Sequence, residues 1–331
     1  MHWLAALILV FHLAIPTFFS PARVTAQDTA PQIHDLGVNY RFGEQITFQA
    51  QLDTASPAQE VMVFLKPAGQ QTSWQKMTIE APDAETPSRS AYTAIQAAEI
   101  GLYPFSNVEY HYEATLEDGS KITSENFQFQ YQDNRFPWRT TGTDAIQVSW
   151  YSRDAALGQL ILNVAERGLA EAQKYIKADL PRPLRIYGYS SAHDLQTALQ
   201  INNQPWVAGH ATPELDMILI SVPSGPEQKL ELERQIPHEL THILQYQVVG
   251  EKYTLQPVWL MEGMASLSEL YPNPEYQRVL DKAAQDESLL PMNTLCSSSL
   301  TKPLVLSWLM LSPNPLSASS IRNTGHPGYA T

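Results

Sequence analysis

The chain contains little cysteine and comparatively little positive charge. Cys296 is the only cysteine among 331 residues, so no disulfide can form within the chain. Lys and Arg number 21 against 34 Asp and Glu, which gives a formal net charge of −13. Because phosphate binding requires a basic surface, this balance argues against a nucleic-acid partner.

The N-terminal segment is strongly apolar but has no Lys or Arg before its apolar run, which covers residues 3–20. Small residues at Val24 and Ala26 suit the −3 and −1 positions of a cleavage site, so we predict a signal peptide over residues 1–26. The protein is then secreted or extracytoplasmic, and a location at the cell surface stays open. The alternative is an uncleaved membrane anchor, the one case in which we expect membrane contact. The run is barely long enough to span a bilayer and Pro16 interrupts it, which favours cleavage.

Residues 27–133 are predicted to form one domain, in which 27–37 are a short polar leader and about 38–133 have the pattern of short β-strands. Apolar and polar residues alternate over 45–52, and again around Val61, Tyr112 and Phe129. Turn signals such as those at 117–120 separate these runs. About six strands within this length predict a β-sandwich of immunoglobulin or fibronectin type.

The pattern changes after residue 133. Residues 134–144 have no periodicity and are predicted to be a linker. Residues 145–296 alternate between helical and strand patterns, with helices predicted over about 155–178 and 227–249. The tail, 297–331, is rich in Ser, Pro and Leu and contains no acidic residue, so we predict that it is poorly ordered or aberrant.

The strongest chemical signal is His238-Glu239-Leu240-Thr241-His242. Residues i and i+4 lie on one face of a helix, so the two imidazoles can bind one Zn²⁺. Glu239 then lies beside the metal, where it can act as the general base toward a bound water. Pro237 lacks a backbone N–H and is expected to kink the helix or start a new one. Thr241 and Gln245 are expected to serve the helix surface or its packing.

A catalytic zinc requires a third protein ligand. Downstream lies the segment Trp259-Leu260-Met261-Glu262-Gly263. Together with HELTH, it resembles the gluzincin zinc metallopeptidases, in particular the peptidase MA-like family of extracytoplasmic bacterial proteins. The resemblance covers about 145–295 and implies that Glu262 is the third ligand.

The resemblance also implies the fold and further residues of the site. We expect an α+β chain in which the N-terminal β-sandwich precedes a thermolysin-like zincin domain with a mixed sheet and zinc-binding helices. Gly263 should allow close packing beside the metal. By its spacing alone, Glu269, seven residues after Glu262, falls near the same helix face, where it either orients His238 or His242 or is a solvated surface carboxylate. The segment 206–212 resembles the edge strand that pairs with an extended substrate, with Gly209 permitting close approach. His210 either lies near the cleft or has a structural role.

The motifs leave the function partly open. The leading hypothesis is hydrolysis of a peptide or protein substrate with Zn²⁺ as cofactor. The alternative is a surface binding or interaction protein with an inactive or structural zinc site. An aminopeptidase is disfavoured, because no G-x-M-E-N-type segment precedes the zinc helix. The family also implies an oxyanion-stabilising Tyr or His, but Tyr246 and Tyr271 match no motif, and the sequence does not determine the substrate or the oligomeric state.

Overall fold

The structure is a computed structural model that describes residues 30–81, 89–180, 183–201, 208–222, 224–271 and 273–289. The predicted signal peptide, Cys296 and the predicted tail lie outside the described residues, as do Trp206 and Val207 of the predicted edge strand. Among the described helices, none combines the length and the apolar character that a membrane span requires.

The first part of the chain is built almost entirely from antiparallel strands. Its elements are β1 (Gln32–Tyr40), β2 (Gln45–Asp53), β3 (Ala58–Pro67), β4 (Ser73–Lys76), β5 (Thr78–Ile79), β6 (Arg89–Gln96), the short helix α1 (Ala97–Ile100), β7 (Asn107–Leu116), β8 (Lys121–Thr123) and β9 (Phe127–Gln130). One sheet has the order β1-β2-β6-β5, and the other has the order β4-β3-β7-β8 with β9 also paired to β7. We call residues 30–131 the β-domain.

The alternation predicted for residues 45–52 is confirmed. Ile46, Phe48, Ala50 and Leu52 are buried on one face of β2, whereas the residues between them are partly or fully exposed. They belong to the same core as Val61 of β3 and Tyr112 of β7, so the two sheets bury a common set of side chains.

The second part is a mixed sheet with helices. Its elements are β10 (Arg139–Gly142), β11 (Ile146–Trp150), α2 (Ala155–Tyr175), β12 (Leu184–Tyr189), α3 (Ala192–Ala198), β13 (Gly209–Thr212), β14 (Met217–Ser221), α4 (Gln228–Val249), α5 (Val258–Leu267) and α6 (Pro274–Gln285). The sheet order is β10-β11-β12-β14-β13. The three central strands are parallel, and the two edge strands are antiparallel to their neighbours.

The predicted linker is wrong for part of its length. Residues Arg139–Gly142 form β10, which pairs with β11 as an edge of the mixed sheet. The sequence R-T-T-G has no apolar alternation, because this strand is mostly exposed, and periodicity therefore did not reveal it.

The segment before β10 joins the two parts of the molecule. Asp133 is fully buried and accepts hydrogen bonds from the Arg135 guanidinium and from the Tyr189 hydroxyl of β12. The Phe105 ring of the β-domain stacks on Tyr187 of β12 with 3.6 Å between ring centroids. The β-domain core therefore continues onto one face of the mixed sheet.

Candidate metal centre

Helix α4 carries the HELTH motif. Its apolar residues Leu232, Ile236, Leu240 and Ile243 are buried in the core with α2 and the mixed sheet. His238 and His242 lie one turn apart, with 5.1 Å between ring centroids. Burial of the apolar stripe therefore fixes the rotation of the helix and the direction of both imidazoles.

Helix α5 packs against α4 and supplies Glu262. Glu262 Oε2 lies 3.2 Å from His238 Nε2 and 3.8 Å from His242 Nε2. One ligand atom from each of the three side chains lies within 4.8 Å of the others. Ligands at about 2.1 Å from a tetrahedral Zn²⁺ are roughly 3.4 Å apart, so this donor set fits such an ion in number, chemistry and spacing.

The pKa values of His238, His242 and Glu262 depend on one another. Burial lowers the pKa of His238, but hydrogen bonds with Glu262 and Glu269 outweigh burial and raise it to about 10. Burial and the nearby His238 lower the pKa of His242 to about 4. Burial opposes ionisation of Glu262, yet its bond to His238 and the proximity of His242 hold its pKa below the usual value. Near neutral pH these shifts keep Glu262 ionised and His242 neutral, the forms that bind a divalent cation, whereas His238 would release a proton on binding one.

The Glu239 side chain extends from α4 to the edge strand β13. Burial raises the pKa of its carboxyl group, which accepts a hydrogen bond from the Ala211 backbone N–H. A Cβ added at Gly209 would lie only 2.7 Å from Glu239 Oε1. Glycine at position 209 therefore makes room for the Glu239 carboxylate.

His210 offers no ligand atom to this cluster, although its imidazole is close enough for the charges of Glu239 and His242 to affect its pKa. Neighbouring residues of a strand point to opposite faces of the sheet, so His210 points away from the face where Gly209 meets Glu239. Its side chain is exposed and lines a cavity described below.

Glu269 contacts a ligand histidine, but from outside the helix. Helix α5 ends at Leu267, and Glu269 Oε1 lies 3.5 Å from His238 Nδ1. The same oxygen accepts a hydrogen bond from the Tyr276 hydroxyl of α6. Glu269 therefore lies near the site as expected, but helical spacing is not the cause, because the helix ends two residues before it.

Gln245 has a role beyond the helix packing expected for it. Its Oε1 lies 3.2 Å from His242 Nδ1, and its Nε2 donates to the Met261 carbonyl of α5. Each histidine thus has a partner on the ring nitrogen remote from Glu262. Such partners fix the orientation of a ligand imidazole.

Pro237 lies inside α4, which runs without interruption from Gln228 to Val249, so no new helix begins there. A proline cannot donate to the carbonyl four residues earlier. That carbonyl, of Glu233, instead accepts a hydrogen bond from the Leu270 backbone N–H at 2.9 Å. The segment that carries Glu269 is thereby attached to α4 beside His238.

Tyr253 is a site residue that the sequence did not reveal. It lies in a 3-10 segment, Gly250–Leu255, between α4 and α5, with its ring centroid 6.3 Å from that of His242. Burial raises the pKa of its phenol, and the charges of Glu262 and Glu239 raise it further. Its position between the HELTH and WLMEG motifs is the one sequence signal that could have indicated it.

Gly263 does not serve the packing expected for it. A Cβ added there would meet nothing within 4 Å. The close approach beside the metal site occurs at Gly209 instead.

The part of the chain that carries this centre is similar to a known family. Residues 164–310 match the Peptidase MA superfamily. The match includes α4 and α5 and excludes the β-domain. A search of the curated proteins found no match.

Solved structures give weaker similarities. The chain resembles BhCBM56 at 20% identity over 31% of this chain and 95% of that chain, with a TM-score of 0.22. It resembles OgpA from Akkermansia muciniphila at 14% identity over 30% of this chain and 27% of that chain, with a TM-score of 0.24. Purple acid phosphatase PPD1 from yellow lupin matches at 12% identity over 59% and 34% of the two chains, with a TM-score of 0.24. Similarities at this level support no functional conclusion.

Proposed function

We propose that this protein is an extracytoplasmic zinc-dependent metallopeptidase. The observation that carries the proposal is the convergence of His238, His242 and Glu262 within 4.8 Å, in a segment that matches the Peptidase MA superfamily. Glu239 adds a partly buried carboxylate on the helix that carries both histidines.

A Zn²⁺ ion bound there would lower the pKa of a water molecule and polarise the peptide carbonyl. His238, His242 and Glu262 would hold this ion. Glu239 would accept a proton from the water and pass it to the amine leaving group, a role for which the raised pKa of a buried carboxylate is suited.

The edge strand β13 would bind the substrate backbone. The Ser221 N–H bonds to the Ala208 carbonyl, and Gly209 pairs with Ile220 in the same register. Antiparallel pairing therefore directs the backbone groups of Gly209 and Ala211 away from β14, toward the open edge of the sheet. The Ala211 N–H is used by Glu239, which leaves the groups of Gly209 and the Ala211 carbonyl for an extended peptide.

Tyr253 is proposed to stabilise the transition state. A phenol next to the metal ligands can donate a hydrogen bond to the oxygen on which negative charge develops. A tyrosine phenol keeps its proton at neutral pH, and the raised pKa of Tyr253 extends this to more alkaline pH.

The finer architecture belongs to the same proposal. The two antiparallel sheets of the β-domain form a sandwich of immunoglobulin or fibronectin type, and the mixed sheet with α4 and α5 forms a thermolysin-like zincin domain. Residues 1–26 direct export, and the partner is a peptide or protein substrate rather than a nucleic acid.

Substitution of Glu239 tests the function. Glu239→Gln removes the base and keeps the size of the side chain, so hydrolysis of casein or a quenched fluorescent peptide should fall by at least about 10²-fold. Zinc content, measured by mass spectrometry, should stay near one equivalent. Glu251→Gln, at an exposed position after α4, is the control and should retain full activity. Undiminished hydrolysis in Glu239→Gln would rule out this mechanism.

The same assay distinguishes the alternative, a binding protein with an inactive or structural zinc site. That reading requires bound zinc and no turnover by the unsubstituted protein on any peptide tested. Hydrolysis that a chelator stops and added zinc restores would exclude it.

A further inference from the structure

A cavity of 410 Å³ lies where the β-domain meets the mixed sheet. Its walls come from the loop 101–104 of the β-domain, from residues 198–201 at the end of α3, and from His210 of the edge strand β13. Pockets that bind ligands commonly enclose about 300–1,000 Å³, so this space suffices for a large side chain.

The cavity lies on the face of β13 opposite to Glu239. Gly209 faces the Glu239 carboxylate, whereas His210, the next residue, lines the cavity. A peptide paired with the edge of β13 has the same alternation, and cross-strand neighbours point to the same face. The substrate residue opposite His210 therefore directs its side chain toward the cavity.

We propose that this cavity is the subsite for one large apolar side chain of the peptide substrate, so that the β-domain takes part in substrate selection. The inference rests on the proposed peptidase function. It names a residue class for the substrate and assigns a task to the β-domain.

The chemistry of the walls favours an apolar occupant. Leu102, Tyr103 and Pro104 line it together with Leu199 and Ile201, and Gln200 and His210 add polar groups. Among the described residues that line the cavity there is no Asp, Glu, Lys or Arg. A charged substrate side chain would lose water there without gaining a partner, which is unfavourable. An aliphatic or aromatic side chain would bury its apolar surface instead.

The β-domain wall is held in place before any substrate binds. Gly101 ends α1 in the left-handed conformation, and its carbonyl accepts a hydrogen bond from Gln70 Nε2 at 2.8 Å. On the other side, Phe105 stacks on Tyr187 of β12. Both ends of the loop are thus fixed, and the cavity is a preformed feature.

The test uses two substitutions at Tyr103, whose side chain is 37% exposed. Tyr103→Ala removes a wall of the cavity, and Tyr103→Asp places a carboxylate in it. Tyr92→Ala is the matched control, because Tyr92 lies on β6 of the same domain and is 38% exposed. Circular dichroism verifies that each variant is folded.

The substrates are quenched fluorescent peptides derived from a cleaved site in casein. Each position near the scissile bond is varied in turn among Phe, Leu, Ala, Asp and Lys. At one position the unsubstituted protein should prefer Phe or Leu. Tyr103→Ala should lower kcat/KM for that peptide by about tenfold or more while leaving the Ala peptide unchanged. Tyr103→Asp should shift the preference toward Lys, and Tyr92→Ala should change nothing.

An unchanged profile in both Tyr103 variants, with activity intact, would overturn the subsite and leave the peptidase function standing. Binding of the same peptides to Glu239→Gln, with and without Tyr103→Ala, separates the two proposals further. If Tyr103→Ala weakens binding of the Phe peptide alone, the subsite is supported. This holds even if the unsubstituted protein shows no turnover, an outcome that would overturn the peptidase function but not the subsite. Equal binding of all peptides by the two proteins overturns the subsite.

Discussion

Removal of the Tyr253 hydroxyl group should impair catalysis and leave metal binding intact. It lies beside His242 but offers no ligand to the metal cluster. Tyr253→Phe should lower kcat by about 10²-fold, as loss of an oxyanion donor does, with KM and zinc content little changed. Steady-state kinetics and metal analysis measure these quantities.

Tyr271→Phe provides the control, because Tyr271 is 53% exposed and stacks on Arg234 away from the ligand cluster. A kcat for Tyr253→Phe within twofold of the unsubstituted protein would show that Tyr253 is not the donor.

Two glycines near the site should respond oppositely to alanine. In Gly209→Ala the new methyl group would lie 2.7 Å from Glu239 Oε1, so the flexible carboxylate must move aside. A displacement of about 1 Å at a catalytic group can cost roughly 10²-fold in rate, so we expect kcat to fall strongly with little loss of stability. Gly263→Ala meets no atom within 4 Å on a helix and should raise stability by up to about 1 kcal/mol with unchanged activity.

Kinetic assays and urea denaturation of both variants check this prediction. Equal activities of the two alanine variants would contradict the assigned position of Glu239.

At the level of elements, Pro237 in α4 is expected to affect metal affinity, because it leaves the Glu233 carbonyl free to bind the Leu270 N–H. Pro237→Ala would restore an N–H that competes with Leu270 for the Glu233 carbonyl. The segment holding Glu269 against His238 should then loosen. Loss of such a partner weakens metal binding by about 10–100-fold, so we expect the zinc Kd to rise by about tenfold even though alanine favours the helix.

A competitive chelator titration measures this Kd. Val248→Ala, at an exposed position of the same helix, is the control. If Pro237 acts through Glu269, then adding Pro237→Ala to Glu269→Ala should weaken binding no further. An additive effect of the two substitutions would show that Pro237 does not act through Glu269.

At the scale of the whole molecule, the buried Asp133 joins the β-domain to the mixed sheet. Arg135→Ala would leave this carboxylate, which is fully buried, without its cationic partner. Breaking a buried ion pair on one side costs about 3–5 kcal/mol, and the two parts of the molecule should then unfold less cooperatively. Urea unfolding followed by fluorescence and by circular dichroism tests both effects.

Arg41→Ala is the matched control, because Arg41 pairs with Glu44 in an exposed position, and its loss should cost no more than about 0.5 kcal/mol. Equal stability of the two variants would show that Asp133 does not hold the parts together.

Local patterns in the sequence predicted much of the fold. Alternation identified β2, and helical spacing identified α2 and α4 within a few residues of their ends. Such patterns are visible because each element buries one face. The strand β10 was missed because it buries almost nothing.

The chemistry of the centre was readable from the sequence because its parts are local. The two histidines and Glu239 lie within one helical turn, and residue type with helical spacing is enough to define them. Glu262 was implied by resemblance to a family, since its distance from His242 depends on how α5 packs against α4.

The remaining features depend on contacts between residues distant in the chain. Only the tertiary structure places Tyr253 beside His242 and joins Leu270 to the Glu233 carbonyl. It also forms the cavity between the β-domain and the edge strand. No single segment has a pattern that records such contacts, because they arise from packing and not from local periodicity. The sequence by itself therefore determined the residue types of the candidate metal centre, because they are spaced along one helix, and the fold decided which side chains surround them, because packing brings distant segments together.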